Sequence, residues 1–177
     1  MPLIKHGQPA GDPFFHVADD APLPAEGPII VGLARWQEER GLIAPRNAPL
    51  GVRLKPADPV EQIAADLGRL AVVALEFPKF NDGRAMSQAR LLRQRYGYTG
   101  EIRAVGKVVR DFLLFMHRCG FDAFEVAESI TAEMVAEALC EFSVFYQPAA
   151  DGRATALDQR SANVSAPDDS ASACNIG

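Results

Sequence analysis

The chain has 177 residues, 48% of them hydrophobic and 23% charged, with a mean hydropathy of -0.03 and a formal charge of -5. That apolar mass suffices for one globular core with short appendages, and no run of about 18 apolar residues exists to span a membrane. The negative balance argues against nucleic acid as a partner, because the molecule as a whole would repel phosphate at long range.

The opening stretch "MPLIKHGQPAGDPFFHVADD" lacks a charged head followed by an apolar segment, so no secretory signal is expected. Residues 1–27, rich in Pro, Gly and Asp, read as an irregular arm with one short strand at "FFHV". From residue 28 the pattern is regular: "PIIVGL" is a strand, "ARWQEERG" a brief helix closed by Gly41, and "GVRLK" the next strand. Asp58 as cap, Pro59 at the first helical position and Glu61 three residues after the cap predict a helix. Val60, Ile63, Ala64 and Leu67 would form its buried face. "LAVVALEF" is a near-continuous apolar run, suited to a central parallel strand. Asp82 then caps a helix to about Tyr96, with Ala85, Ala89, Leu92 and Tyr96 on one stripe and Arg93 on the far side. "EIRAV" is a strand, "GKVVRDFLLFMHRCG" a helix and "FDAFEV" a strand. Thr131 caps the last helix, whose buried face is Val135, Ala138, Leu139 and Phe142. The Ala-, Ser- and Asp-rich residues 148–177 hold too little apolar surface to offset ordering entropy and are expected to be disordered.

Strands beginning near residues 28, 51, 70, 101 and 121, each followed by a helix, predict an α/β domain over 28–147 with a mostly parallel five-stranded sheet. Right-handed crossovers make a three-layer sandwich the economical closure, with an open partial barrel as the alternative.

Charge is unevenly distributed. Between Lys79 and Arg118 nine basic residues face three acidic ones, while the remainder holds nine basic and twenty acidic residues. Such polarity suits an anionic ligand or an acidic partner surface. In a parallel sheet, guests bind beyond the carboxyl ends of the strands, which here points to "EFPKFNDGR" and "GKVVR". Gly83 permits close backbone approach and the following helix presents free N–H groups. Lys79, Arg84, Lys107 and Arg110 add positive charge, and Asp82 and Ser87 complete the candidate anion or partner site. No Gly-x-Gly-x-x-Gly or Walker-type loop supports a nucleotide. Cys119, Cys140 and Cys174 lack metal-type spacing, so no metal or other cofactor is evident and a reducing cytoplasm fits best. Val108, Phe112, Phe115, Met116 and Cys119 share one arc of their helix, which reads Cys119 as a core thiol rather than a nucleophile. His117 falls on the polar side and reads as a surface histidine. Cys140 falls on an outer face beside Glu133 and Glu137. Cys174, in the terminal "CNIG", matches a prenylation box in spacing only.

Residues 49–125 resemble an uncharacterised bacterial family catalogued as a domain of unknown function. The strings "PLGVRLKPADPVEQIAADL", "VALEFPKFNDGRAMSQARLLRQRYGYTGEIRAVG" and "HRCGFDAFEV" carry the resemblance. It implies a gene beside the sulfite reductase haemoprotein, and family members are labelled oxidoreductases involved in sulfite reduction. Typical members carry an acidic residue where this chain has Lys107 and a polar one where it has Phe112. Reducing sulfite takes six electrons and a haem-type or iron–sulfur centre, and three cysteines are too few for a four-thiolate cluster. The expectation is therefore an accessory protein of assimilatory sulfite reduction that docks an acidic partner, such as the haemoprotein, through its basic helix. The alternative is a domain binding or acting on a small sulfur oxyanion or phosphate at the 76–84 loop. The residues alone leave catalysis and oligomeric state open.

Overall fold

Eight strands carry the architecture: β1 (Leu3–Lys5), β2 (Gln8–Ala10), β3 (Phe15–His16), β4 (Ile29–Gly32), β5 (Leu50–Leu54), β6 (Leu70–Phe77), β7 (Glu101–Gly106) and β8 (Ala123–Glu125). The structure is a computed structural model that describes residues 1–79 and 82–163. The last five strands lie where the sequence places them. All eight join one sheet in the order β2-β1-β8-β7-β6-β5-β4-β3. Strands β3 to β8 are parallel and adjacent in chain order, whereas β1 pairs antiparallel with both β8 and β2.

This order corrects the expected five-stranded, three-layer sandwich. A doubly wound sheet needs a point where strand order reverses, so that successive right-handed crossovers deliver helices to opposite faces. Here the order never reverses, and the sheet curls into a half-barrel with helices along its outer side, which is the open-barrel alternative. The sheet is also mixed, because the arm supplies the antiparallel strands β1 and β2 in addition to the expected short strand at "FFHV", which is β3. His6 (φ 49°) and Gly7 (φ 71°) make the two-residue turn of the β1–β2 hairpin.

The helices are α1 (Leu33–Glu38), α2 (Arg40–Ile43), α3 (Arg84–Arg90), α4 (Leu113–Arg118), α5 (Ala132–Leu139) and α6 (Ala156–Asn163), with 3-10 segments at Val60–Arg69 and Arg110–Phe112. Pro59, extended at ψ 131°, is the cap of the first 3-10 segment. Asp58 instead closes a turn by accepting from the Lys55 N–H at 2.7 Å. Gly41 lies inside α2 rather than ending α1. Beyond α3 the helix widens into a π turn over Leu91–Arg95, where Tyr96 N donates to Leu91 O at 3.1 Å. Ala85, Ala89 and Leu92 are buried as expected, but Phe115 (56% exposed) and Phe142 (54%) face outward. The predicted helix from Gly106 begins only at Arg110, which leaves Lys107 in a loop.

Alternation along the strands separates two faces. Ile29, Val31, Val52, Leu54, Val73, Leu75, Ile102 and Phe124 pack outward against Trp36, Ile63, Leu92, Met116 and Leu139 in the main core. Ile30, Val72, Ala74 and Val105 point into the concavity and pack with Phe14. Gly51 belongs to this inner face, where a Cβ would lie 2.7 Å from Ile30 Cγ1. At the end of β7, Gly106 (φ 94°) turns the chain where a Cβ would meet Phe77 O at 2.6 Å.

Residues 148–163 are folded, contrary to the expected disorder of a tail starting at 148. Ala150 N donates to Arg118 O at 2.9 Å, Phe145 bridges to Thr155, and Thr155 and Asp158 exchange hydrogen bonds at the start of α6. Residues 164–177, Cys174 included, lie outside the described residues. Among the described residues no helix is long and apolar enough to cross a membrane.

Candidate functional site

The predicted site residues emerge at the carboxyl-end rim of β6 and β7. Lys79, Asp82, Gly83 and Arg84 share one turn, with Asp82 N donating to Lys79 O at 3.2 Å. Gly83, not Asp82, caps α3, without a side-chain hydrogen bond. The Asp82 carboxylate instead accepts from Arg84 Nε at 2.9 Å, Arg84 Nη2 at 2.7 Å and the Arg84 amide at 3.2 Å. These bonds hold the Asp82 carboxyl below its ordinary range and occupy the Nε–Nη2 edge of Arg84's fork. Lys107 joins the root of this turn, since its amide donates to Phe77 O at 2.7 Å. Arg110 begins the next 3-10 segment, and Ser87 lies on the outer face of α3.

The nine basic residues between 79 and 118 divide by what they touch. Arg93, expected on the far side, turns inward at the π turn. It donates to Tyr98 O (2.5 Å), Gly100 O (2.8 Å) and Gly120 O (3.1 Å), and pairs with Asp122. Arg118 lies 3.8 Å from the centre of the Phe145 ring, donates to Gln147 O at 2.6 Å and pairs with Asp151 at 3.3 Å. Arg103 is wholly buried. Lys79, Arg90, Arg95, Lys107 and Arg110 have no ion-pair partner among the described residues.

Two of these free cations share the exposed stripe of α3 and its π turn. Ser87, Arg90, Leu91, Gln94 and Arg95 line a shallow depression of about 630 Å³. Arg90 also borders a second depression of about 440 Å³, whose walls include Met86, Phe112, Phe115, Arg118 and Cys119. Arginine and exposed apolar groups therefore alternate over one continuous surface. Cys119 is a half-buried free thiol whose pKa is pushed up by burial, which suits packing better than nucleophilic chemistry. His117, expected at the surface, is half-buried with Nδ1 3.3 Å from Phe121 O, and burial pushes its pKa down.

The sequence reading missed a second constellation, on the concave face. Arg103 Nε donates to Glu101 at 2.7 Å, and Nη1 donates to Asp12 at 2.7 Å and Glu125 at 3.2 Å. Lys5 pairs with Glu101 at 2.5 Å, His16 lies 3.1 Å from Glu125, and Arg53 lies 3.8 Å from Glu76. Burial raises the Asp12 carboxyl, but hydrogen bonds from Arg103 and the Phe14 amide, with the Arg103 and His16 charges, outweigh it and hold the pKa low. Burial likewise raises Glu125, and His16 and Arg103 more than reverse it. The available signal was a charge in every strand from β5 to β8, at positions where a doubly covered sheet would be apolar. Asp12, His16 and Glu125 offer ligand atoms within 4.8 Å of one another. The Arg103 guanidinium already holds both carboxylates, so positive charge fills the place a metal ion would take.

No curated protein sequence matches this chain. The profile of a family described as "Bacterial protein of unknown function (DUF934)" matches residues 51–157, from β5 to the first turn of α6. That span covers more than half of the chain, which belongs to this family.

Proposed function

We propose that the protein is a cytoplasmic accessory component of assimilatory sulfite reduction that docks an acidic partner surface through the outer face of α3. The observation that carries this reading is the stripe Ser87, Arg90, Leu91, Gln94 and Arg95, continuous through Arg90 with the Phe115 depression. Among the described residues Arg90 and Arg95 have no ion-pair partner, in a protein of formal charge -5. Arginine beside exposed aromatic and aliphatic groups is the composition of interface anchors, and Leu91 and Phe115 supply the apolar part. The sulfite-reduction context comes from the gene neighbourhood that the family resemblance implies, with the haemoprotein as the partner to try first. With no four-thiolate set in the sequence, such a protein would assist a redox enzyme rather than carry its centre.

The test is titration calorimetry of the purified protein against the sulfite reductase haemoprotein at about 20 mM and about 200 mM salt, because exposed charges are screened within a Debye length. A complex that weakens with salt, and weakens at least about tenfold in Arg90→Glu/Arg95→Glu, is expected. Absence of a complex at low salt, or one indifferent to salt and to both reversals, would refute the reading.

A further inference from the structure

Arg103 is 0% exposed, yet its guanidinium is unevenly satisfied. Nε and Nη1 serve Glu101, Asp12 and Glu125, whereas Nη2 is buried without a hydrogen-bond partner. An arginine carries five N–H donors in a planar fork, and leaving buried donors unmade is costly. One carboxylate of the set does not come from the sheet. Asp12 stands on Gly11–Phe14, the segment that leaves β2 at one edge and reaches β3 at the other, crossing the open side of the half-barrel. This strap pairs with neither edge strand over its own length. It is fastened by Asp12, on Nη1 and 3.7 Å from His16 Nε2, and by the Phe14 ring, which packs on Ile30, Val72, Ala74 and Val105 and whose centre lies 5.5 Å from the guanidinium carbon. The Phe14 amide in turn donates to the Asp12 carboxylate at 3.0 Å, so strap and latch move as one piece.

We propose that Asp12 occupies the place of a small ligand's carboxylate, and that Gly11–Phe14 is a lid which such a ligand displaces to bind Arg103 through Nη1 and Nη2 together. Bidentate pairing would satisfy the amino group that Asp12 leaves free. Charge selects the class. Exchanging one carboxylate for another leaves the balance around Arg103 unchanged, whereas a dianion would press an extra negative charge against Glu101 and Glu125. A cation meets the guanidinium itself. Along the sheet the site lies mid-strand on the concave face: Arg103 is level with Ala74 in the middle of β6, Glu101 begins β7 and Glu125 ends β8. Arg53 and Glu76, each about one-third exposed, mark the mouth. The site lies across the sheet from α3 and stands or falls independently of the docking surface.

The probe is acetate, compared with chloride at equal ionic strength. A ligand competing with an internal carboxylate binds weakly in proportion to the closed fraction. Asp12→Asn, which keeps the shape and removes the charge, should therefore raise acetate affinity about tenfold, read as an acetate-specific thermal shift. In the wild type, acetate should speed amide exchange at residues 11–16 and leave β6 and β7 unchanged. Arg103→Lys should abolish both responses; because that variant can fail to fold, Asp12→Asn carries the decision. Equal responses of Asp12→Asn to acetate and chloride would overturn the proposal, as would a wild-type strap whose exchange ignores acetate.

Discussion

Replacing Arg93 by Ala tests whether the arginine-rich segment is divided between structure and surface as described. The side chain is 17% exposed and holds three carbonyls, on Tyr98, Gly100 and Gly120, together with the Asp122 carboxylate. It thereby ties the π turn to the entry of β7 and to the α4–β8 loop. Hydrogen bonds to a charged group contribute about 1.5–3 kcal/mol each, but they share one guanidinium and do not add. Removing one member of a fully buried pair costs about 3–5 kcal/mol; with Arg93 17% and Asp122 32% exposed, the expectation for Arg93→Ala is about 2–3 kcal/mol. It is a large part of the roughly 5–15 kcal/mol that stabilises a typical domain, and corresponds to a fall in Tm of about 4–12 °C at this chain length. Equilibrium urea unfolding gives the value, with Arg90→Ala as the control, expected within about 0.5 kcal/mol of wild type because Arg90 is exposed and makes no ion pair among the described residues. A loss below about 1 kcal/mol for Arg93→Ala, or an equal loss for both variants, would refute the division.

Asp66 is buried and accepts from Trp36 Nε1 at 3.1 Å while pairing with Arg40. Asp66→Ala should cost about 1–3 kcal/mol and change the fluorescence of Trp36, the chain's single tryptophan; a spectrum identical to wild type would contradict the contact. Asp12 and Glu125 both have folded pKa values below their ordinary ones. Their contribution is present above the unfolded pKa and lost as pH falls through the folded pKa, so acid should destabilise wild type more steeply than Asp12→Asn below about pH 4. The half-buried His117, also depressed, should lose its contribution as pH drops below about 6.5. Cys119, with its pKa raised by burial, should be labelled slowly by a thiol reagent at neutral pH and faster above about pH 9, followed by peptide mass spectrometry. Rapid neutral labelling would show an activated thiol instead.

Much of the fold was legible because five strands announced themselves as short apolar runs at regular spacing. Strand order was not legible, since apolar runs report burial and not neighbours. The arm escaped for a different reason. Only its strand at "FFHV" was read, as β3; β1 and β2 are three residues long, too short for alternation to show, and only the Lys5-His6-Gly7-Gln8 turn signals a hairpin. Arg93 was misplaced because a uniform 100° step carries it outward, whereas the π turn adds a residue and rotates the side chains along it. The Arg103 network went unread because Glu101 and Arg103 are adjacent inward positions of one strand. Their partners, Asp12 and Glu125, lie 91 and 22 residues from Arg103; the pairing of β8 with β7 brings in Glu125, and the strap across the open side brings in Asp12.

Whether Arg90 of α3 and Arg95 of its π turn meet an acidic partner is decided by amide hydrogen exchange of the protein alone and with the sulfite reductase haemoprotein at low salt. Slowed exchange confined to residues 84–96 and 112–119, and lost in Arg90→Glu/Arg95→Glu, is the expected result. Protection falling elsewhere, or surviving both reversals unchanged, would rule out docking through this face.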